Sequence, residues 1–313
     1  MLDYPRDLLE FRDQFHSEDA CREYLIQLRW PRGWTCPKCH GQRFWKTQRG
    51  ILCCQGCQSH VSVTAGTLFA DTHKPLRLWF EALWHITNQK YGASALGMQR
   101  ILSLGSYHTA WNWLHKLRRA MVRPGRDRLA GTVQVDETFI GGERPGKRGR
   151  GAAGQTLVLI VAQAAGRGIG RIRLARVASA SGQHLQSAVS PAVEPGTVVQ
   201  TDGGTGYKGL AGLGYDHAVI RPNPSVGENL LPLANRVAAL LKRWLLGTHQ
   251  GAVQPTHLDY YLDEFTFRFN RRTSGSRGLL FYRLLNQAVH LQPVRGNALK
   301  GGADQAPQSS ELA

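Results

Sequence analysis

TVQVDETFI, residues 132–140, alternates apolar with polar side chains as a half-buried β-strand does, and it carries Asp136 where the alternation TVQVDE ends. TVVQTDG, residues 197–203, has the same form and sets Asp202 at its tip. Between them TLVLIVAQ (156–163) and GRIRLARV (170–177) read as two more strands, followed by a helix from near Ser181. Beyond Asp202 the period changes to that of helices, from about Asn235 to Leu246 and from Pro255 to about Asn270. Three strands in series, a helix and a further strand imply a mixed α/β sheet covered by helices.

Asp136 and Asp202 lie about 66 positions apart and meet at one site if their strands are neighbours. Paired carboxylates at strand tips are the hard oxygen ligands of a two-metal phosphoryl-transfer site, in which two Mg²⁺ or Mn²⁺ ions serve the attacking and the leaving oxygen. The arrangement resembles an RNase H-like core. Either aspartate alone says little, because an Asp before Gly also caps turns.

The rest of the chain points to a polyanion. Its 313 residues carry a formal charge of +17, with a pI near 10.1, and a soluble chain this basic usually meets nucleic acid. No apolar run reaches the roughly 18–20 residues of a spanning helix. The opening MLDYPRDLLEFRDQF has acids where a secretory signal has a basic region, so the expected location is the cytoplasm, on the nucleoid.

Six cysteines occur. Cys36 and Cys39 form CPKC, and Cys54 and Cys57 form CQGC, about 14 residues further on. Two such knuckles match a four-thiolate zinc ribbon whose closed shell makes the Zn²⁺ structural. Spacing selects Cys54 over its neighbour Cys53, which would face the other side of the strand. His40 and His60 read as surface residues rather than ligands. Arg32, Lys38, Arg43, Lys46 and Arg49 with Trp34, Phe44 and Trp45 offer DNA a basic, aromatic surface, although Trp45 fits better as core.

Ahead of the first strand, ASALGMQRILSLGSYHTAWNWLHKLRRAM has helix-turn-helix spacing. Ser106 to Thr109 would then face base edges, with Lys116, Arg118 and Arg119 towards phosphates, and Trp111 and Leu114 in the core. The expected organisation is helices over 1–30, a zinc ribbon over 31–67, a helical DNA-binding segment over 68–123 and a catalytic domain over 131–291. VRPGRDRLAG (122–131) is the linker ahead of that domain, and a disordered tail closes the chain over 292–313.

CPKC…CQGC with SVTAGTLF, QVDETFIGGERPGKRGRGAAG, TDGGTGYKGL and the long stretch NRVAALLKRWLLGTHQGAVQPTHLDYYLDEFTFRFNRR resemble ISXO-type insertion-sequence transposases of the DDE superfamily, from about Tyr24 to Leu291. The resemblance implies an N-terminal zinc ribbon, an RNase H-like catalytic domain, binding of terminal inverted repeats in double-stranded DNA, and cleavage and transfer of strands to a target, by a homo-oligomer on DNA. It places the first two acidic positions on Asp136 and Asp202. Where a plain triad has Glu, this chain has Asn235, with Lys242 seven residues on and on the same helix face; an Asp-Asp-Asn-Lys pattern is known in the group. An amide oxygen can ligate Mg²⁺, though without a carboxylate's charge. Glu228 and Glu137 are the alternative acids, the latter expected on the opposite face of its strand.

Lys242 and Arg243 are then candidates for phosphates beside the cut. Arg268, Asn270, Arg271 and Arg272 form a basic edge, and the turn Arg144 to Arg150, with Lys147, Arg148 and Arg150, should reach DNA. His249, at a helix end, suits a capping role. The rival readings are a non-catalytic DNA-binding regulator descended from a transposase and an RNase H-like nuclease that cuts without joining.

Overall fold

Two compact units divide the chain: Met1–Arg123 together with Ser274–Gly301, and Pro124–Thr273. The computed structural model describes residues 2–123, 125–142, 154–222 and 229–301. The break at Arg123 falls in the stretch expected as a linker.

In the first unit, side-chain caps decide where helices start. Asp7 accepts from the amides of Leu9 (2.8 Å) and Glu10 (2.9 Å) to begin α1 (Leu8–Gln14), and Ser17 accepts from Ala20 (3.1 Å) to begin α2 (Glu18–Arg29). A three-stranded antiparallel sheet follows, β1 (Phe44–Lys46), β2 (Leu52–Cys54) and β3 (His60–Val61). Then come α3 (Leu76–Asn88), α4 (Ala95–Ile101) and α5 (Tyr107–Arg119), the last two opened by Ser94 and Ser106 as caps. Trp79 of α3 stacks on Trp113 of α5 with ring centroids 3.7 Å apart.

The α4–α5 hairpin has the expected form, but not all of the expected faces. Leu96 and Ile101 of α4 are exposed, at 46% and 58%. Trp111 is half-buried against the His115 ring, and Leu114 is in the core.

The second unit is built on a five-stranded mixed sheet in the order β6-β5-β4-β7-β8. Its strands are β4 (Thr132–Ile140), β5 (Thr156–Ala165), β6 (Gly168–Val177), β7 (Val198–Thr201) and β8 (Asp216–Val219). β4, β5 and β6 meander antiparallel, whereas β7 pairs parallel with β4 and with β8. On one face α6 (Gly182–Val189) packs Leu185 and Val189 against Val133, Val135 and Val199. On the other, α7 (Pro232–His249) and α8 (Leu258–Phe269) cover Ile140, Ile160 and Leu174 with Val237, Leu241 and Phe265. The sheet is thus sandwiched between helices, as in an RNase H-like core. Alternation along β4 sends Val133 and Val135 to the α6 side and Gln134, Asp136 and Ile140 to the α7 side.

Two features depart from the expected layout. Helix α9 (Arg277–His290), taken with the catalytic domain in the 131–291 span, belongs to the first unit. Its Phe281 ring lies 5.4–5.9 Å from those of Phe11, Phe15, Phe80 and Trp84. Its Gly278 passes so close to the chain that a Cβ there would sit 1.5 Å from the Pro5 carbonyl oxygen. The tail differs as well: Gly296–Lys300 forms a short helix, α10, whose Leu299 is fully buried, and residues 302–313 lie outside the described residues. A single apolar side chain is enough to anchor so short a turn, and periodicity does not reveal it.

Removing Phe281 should open a cavity among four aromatic rings. Phe281→Ala is expected to destabilise the first unit by about 3–5 kcal/mol, read as a lowered midpoint in denaturant unfolding followed by near-UV circular dichroism; an unchanged midpoint would detach α9 from that unit's core.

Candidate functional site

The two cysteine knuckles have one backbone design. In the first, the His40 amide bonds the Cys36 carbonyl (2.9 Å) and the Cys36 amide bonds the Gly41 carbonyl (2.9 Å); in the second, Gln58 bonds Cys54 (3.1 Å) and Cys54 bonds Ser59 (3.0 Å). Both turns close through a non-glycine residue in the left-handed region, His40 at φ 58° and Gln58 at φ 57°. The reward for that strain is convergence: the sulfurs of Cys36, Cys39, Cys54 and Cys57 all lie within 4.8 Å of one another. Cys36–Cys57 and Cys39–Cys54 are 3.6 and 3.5 Å apart, close to the about 3.8 Å between thiolates on one tetrahedral zinc and far beyond a disulfide bond. The Ser59 hydroxyl, 3.1 Å from the Cys57 sulfur, and the Ser59 amide hold that thiol down at about 6, in the thiolate form a metal requires. The residues fit a structural Zn²⁺ held by four thiolates.

Alternation along β2 explains the choice of cysteine. Leu52 and Cys54 face Trp34, Cys36 and Val61, and Cys53 is buried on the opposite side. His40 and His60 are both exposed. In β1, Phe44 packs 5.0 Å from Trp34, which turns the next residue outward, so Trp45 is 46% exposed and is not the core residue expected. Lys46 is paired with Glu23.

The second unit's carboxylates are placed by strand register. Thr132, Val133 and Gln134 stand opposite Val198, Val199 and Gln200 in the parallel β4–β7 pair. Asp136 and Asp202 each follow the last registered pair, Gln134 opposite Gln200, by two residues. Asp202 stands one residue past β7 with its Oδ1 accepting from the Gly204 amide (2.9 Å). Gly203 takes φ +81° there, and a Cβ on it would come 2.6 Å from Val219, so the turn that presents Asp202 needs glycine.

Gln134 ties a third element to this pair. Its Nε2 donates to Gln200 Oε1 (3.2 Å), and its own Oε1 accepts from the amides of Leu233 (2.8 Å) and Ala234 (3.4 Å). Helix α7 has no side-chain cap of its own, so a buried strand glutamine does that work. Asn235 is the next residue, exposed, with its Nδ2 donating to Asn229 Oδ1 (2.8 Å). Lys242 is exposed on the same face of α7, about 10 Å further along the axis.

Glu137 faces the other way, where it accepts from the buried Tyr207 hydroxyl. Burial first, then the negative charge of Glu137, Asp136 and Asp202, pushes the Tyr207 phenol well above its usual range. Three carboxylates therefore act on the one Tyr207 phenol. Oxygen donors of this kind suit a hard divalent cation. Among the described residues the four cysteines are the one tight cluster of three or more His, Cys, Asp or Glu side chains, so acids alone do not close a ligand set around Asp136 and Asp202.

Residues 128–270 match an ISXO2-like transposase domain, and residues 16–60 match a transposase zinc-ribbon domain. The chain thus carries an ISXO2-like transposase domain behind a transposase zinc ribbon. It is also 27% identical, over 279 residues, to an uncharacterized protein in transposable element ISH50 from Halobacterium salinarum, a likeness covering 81% of this chain and 91% of that one. Among the described residues, no helix is long and apolar enough to cross a membrane.

The basic side chains singled out from sequence separate into surface and framework. Arg243, like Lys242, is exposed on α7, and Arg119 is half-buried. Arg118 is only 1% exposed, beside His115, because the inward face of α5 continues to its last turn; it does not present its charge to phosphates. Arg268 neutralises Glu264, which is fully buried, at 2.9 Å. Arg271 lies over the Phe267 ring and donates to the Phe267 carbonyl (3.2 Å). Arg272 lies over Phe269 and donates to the carbonyls of Phe269, Gly170 and Ile169. The basic edge read at 268–272 is thus largely a joint between α8 and β6. Asn270 completes it, accepting from the Ile172 amide (2.7 Å) and donating to its carbonyl (3.1 Å), as a neighbouring strand would. The His249 ring packs against Trp244 and Tyr261. Lys147, Arg148 and Arg150, with Glu228, lie outside the described residues.

Sequence reasoning passed over Gln134, Gln200 and Tyr207. Only the shared spacing of Gln134 and Gln200, each two residues before an aspartate, signals them.

Two measurements check this geometry. One zinc per chain should be lost in Cys39→Ser and Cys54→Ser but kept in Cys53→Ser, by metal analysis of the purified proteins. Gln134→Leu leaves two helix amides and Gln200 without their partner, so it should cost about 1–3 kcal/mol and lower the thermal midpoint of the second unit by a few degrees; a midpoint equal to wild type would deny the clamp.

Proposed function

We propose that the chain is the transposase of an insertion sequence, which binds the terminal inverted repeats of its element in double-stranded DNA and catalyses metal-dependent strand cleavage and transfer to a target. The single observation that supports it best is the β4–β7 register, whose last pair, Gln134 opposite Gln200, stands two residues before Asp136 on one side and Asp202 on the other. In this reading Asp136, Asp202 and Asn235 hold the catalytic ions, and Lys242 and Arg243 bind the phosphates beside the cut. Bound Mg²⁺ or Mn²⁺ supplies Lewis-acid stabilisation of the attacking and leaving oxygens. The two aspartates fix where the reacting phosphate lies, and Gln134 keeps the start of α7 beside them. Asn235 contributes an amide oxygen without charge, so the site holds its cations less tightly than three carboxylates would. The net charge of +17 supplies the sequence-independent part of DNA affinity. A homo-oligomer on the DNA would bring both ends of the element to one target.

The test incubates the zinc-loaded protein with Mg²⁺ or Mn²⁺ and DNA carrying the element's ends. Asp136→Ala and Asp202→Ala should each abolish cleavage and strand transfer while end binding persists, since the ribbon and helices carry the binding. Asn235→Ala should lose activity only in part and recover some of it at raised Mg²⁺ or in Mn²⁺. Strand transfer at wild-type rate by either aspartate variant overturns the reading; cleavage without joining by the wild type would make it a nuclease, and binding alone a regulator. A wild-type rate for Asn235→Ala at limiting metal would remove Asn235 from the site.

A further inference from the structure

Beside Asn235 the second unit has an open groove of about 930 Å³, between the start of β6, the first turns of α7 and the end of α8. Arg167, Arg236 and Arg272 line it, and among the described lining residues there is no acid. Arg167 and Arg236 are exposed. The guanidinium of Arg272 is already bonded to three carbonyls, yet its charge remains in the groove. Between these cations the floor is apolar, formed by Leu233, Leu240 and Phe269.

We infer that this groove binds an unpaired stretch of DNA strand next to the strand-transfer site. The charge selects a polyanion, and the floor selects among polyanions. A duplex turns its bases inward and would lay only phosphates here, leaving the apolar floor in water. An unpaired nucleotide places its phosphates on Arg167 and Arg236 and its base against Leu233, Leu240 and Phe269, the combination of cation and apolar platform that recurs where proteins hold single strands. The volume is near the top of the about 300–1,000 Å³ range in which pockets enclose small ligands, enough for a base and its sugar. Asn235 borders the groove, so a strand held there runs towards the aspartates' end of the sheet.

The inference deepens the strand-transfer reading and rests on it for the strand's role, but its test involves no chemistry. The full chain with its zinc, in buffer without Mg²⁺ or Mn²⁺ and without chelator, is titrated against two fluorescent oligonucleotide duplexes of one arbitrary sequence, one blunt and one with a short unpaired tail. Wild type should bind the tailed probe more tightly. Arg167→Ala with Arg236→Ala should weaken the tailed probe about tenfold, with its salt dependence flattened by about 1.4 in log–log slope, or about 0.7 per phosphate, and blunt-duplex binding unchanged. Both arginines are exposed, so the variant should melt at the wild-type temperature. No tail preference in wild type, equal losses on both probes, or no loss on the tailed probe overturns the inference. Because no strand is cut, the groove can fail here while the Asp136 and Asp202 variants still support catalysis, and the reverse.

Discussion

Parallel pairing of β4 with β7 at a fixed register is the constraint on which the second unit's polar architecture depends. Side chains alternate along a strand, so a slip of one residue would send Gln134 and Asp136 to the α6 side and leave Val133 and Val135 under α7. Two things prevent it. Valines from both strands are buried against α6, and the Gln134–Gln200 bond spans the strands on the other side. The same glutamine receives the first free amides of α7, so one side chain coordinates two strands and a helix. Asp136 and Asp202 follow this tie by two residues on their respective chains.

The ribbon meets a different physical problem. Its apolar core amounts to a few residues around Trp34, Leu52 and Val61, too little for a short segment to fold on burial alone. Its stability has to come from the metal, and the backbone is arranged for that. Each knuckle places a residue in the left-handed region and directs amides inward, costs that metal–thiolate bonds offset.

What could be read from sequence was what one element dictates by itself. The cysteine spacing and the four strand segments are local patterns, and each appears where it was read; Asp202 stands just past β7 as expected, whereas Asp136 sits mid-way along β4 rather than at a tip, because β4 runs on to Ile140 against β5. β8 was not read because DHAV is four residues long with two polar positions, and its pairing with β7, not its own pattern, makes it a strand. The arginines were misjudged for a related reason. A cationic run such as FRFNRR looks alike whether it faces phosphate or a carbonyl-lined sheet edge, and only the neighbour, here β6 with Glu264 beneath, decides. Arg118 and α9 failed the same way, since which apolar surface receives a helix is a property of the whole fold. Asn235 lies in the first turn of α7, beside the amides that bond Gln134, and its role is a matter of chemistry that neither pattern nor register specifies.

Helix α9 gives the first unit a discontinuous chain: the aromatic cluster of Phe11, Phe15, Phe80 and Trp84 is completed by a ring that comes some two hundred residues later. During synthesis at about 5–20 residues per second, the N-terminal segment therefore waits roughly 10–40 s for Phe281 to emerge. The second unit, continuous in sequence, has all of its strands and helices available before that, so the order of completion runs opposite to the order of the chain. A gene for this protein interrupted between codons 274 and 277 would still encode the ribbon and the whole second unit, but its product would keep an uncovered aromatic surface at its N-terminal end, the kind of patch on which chains associate and are degraded.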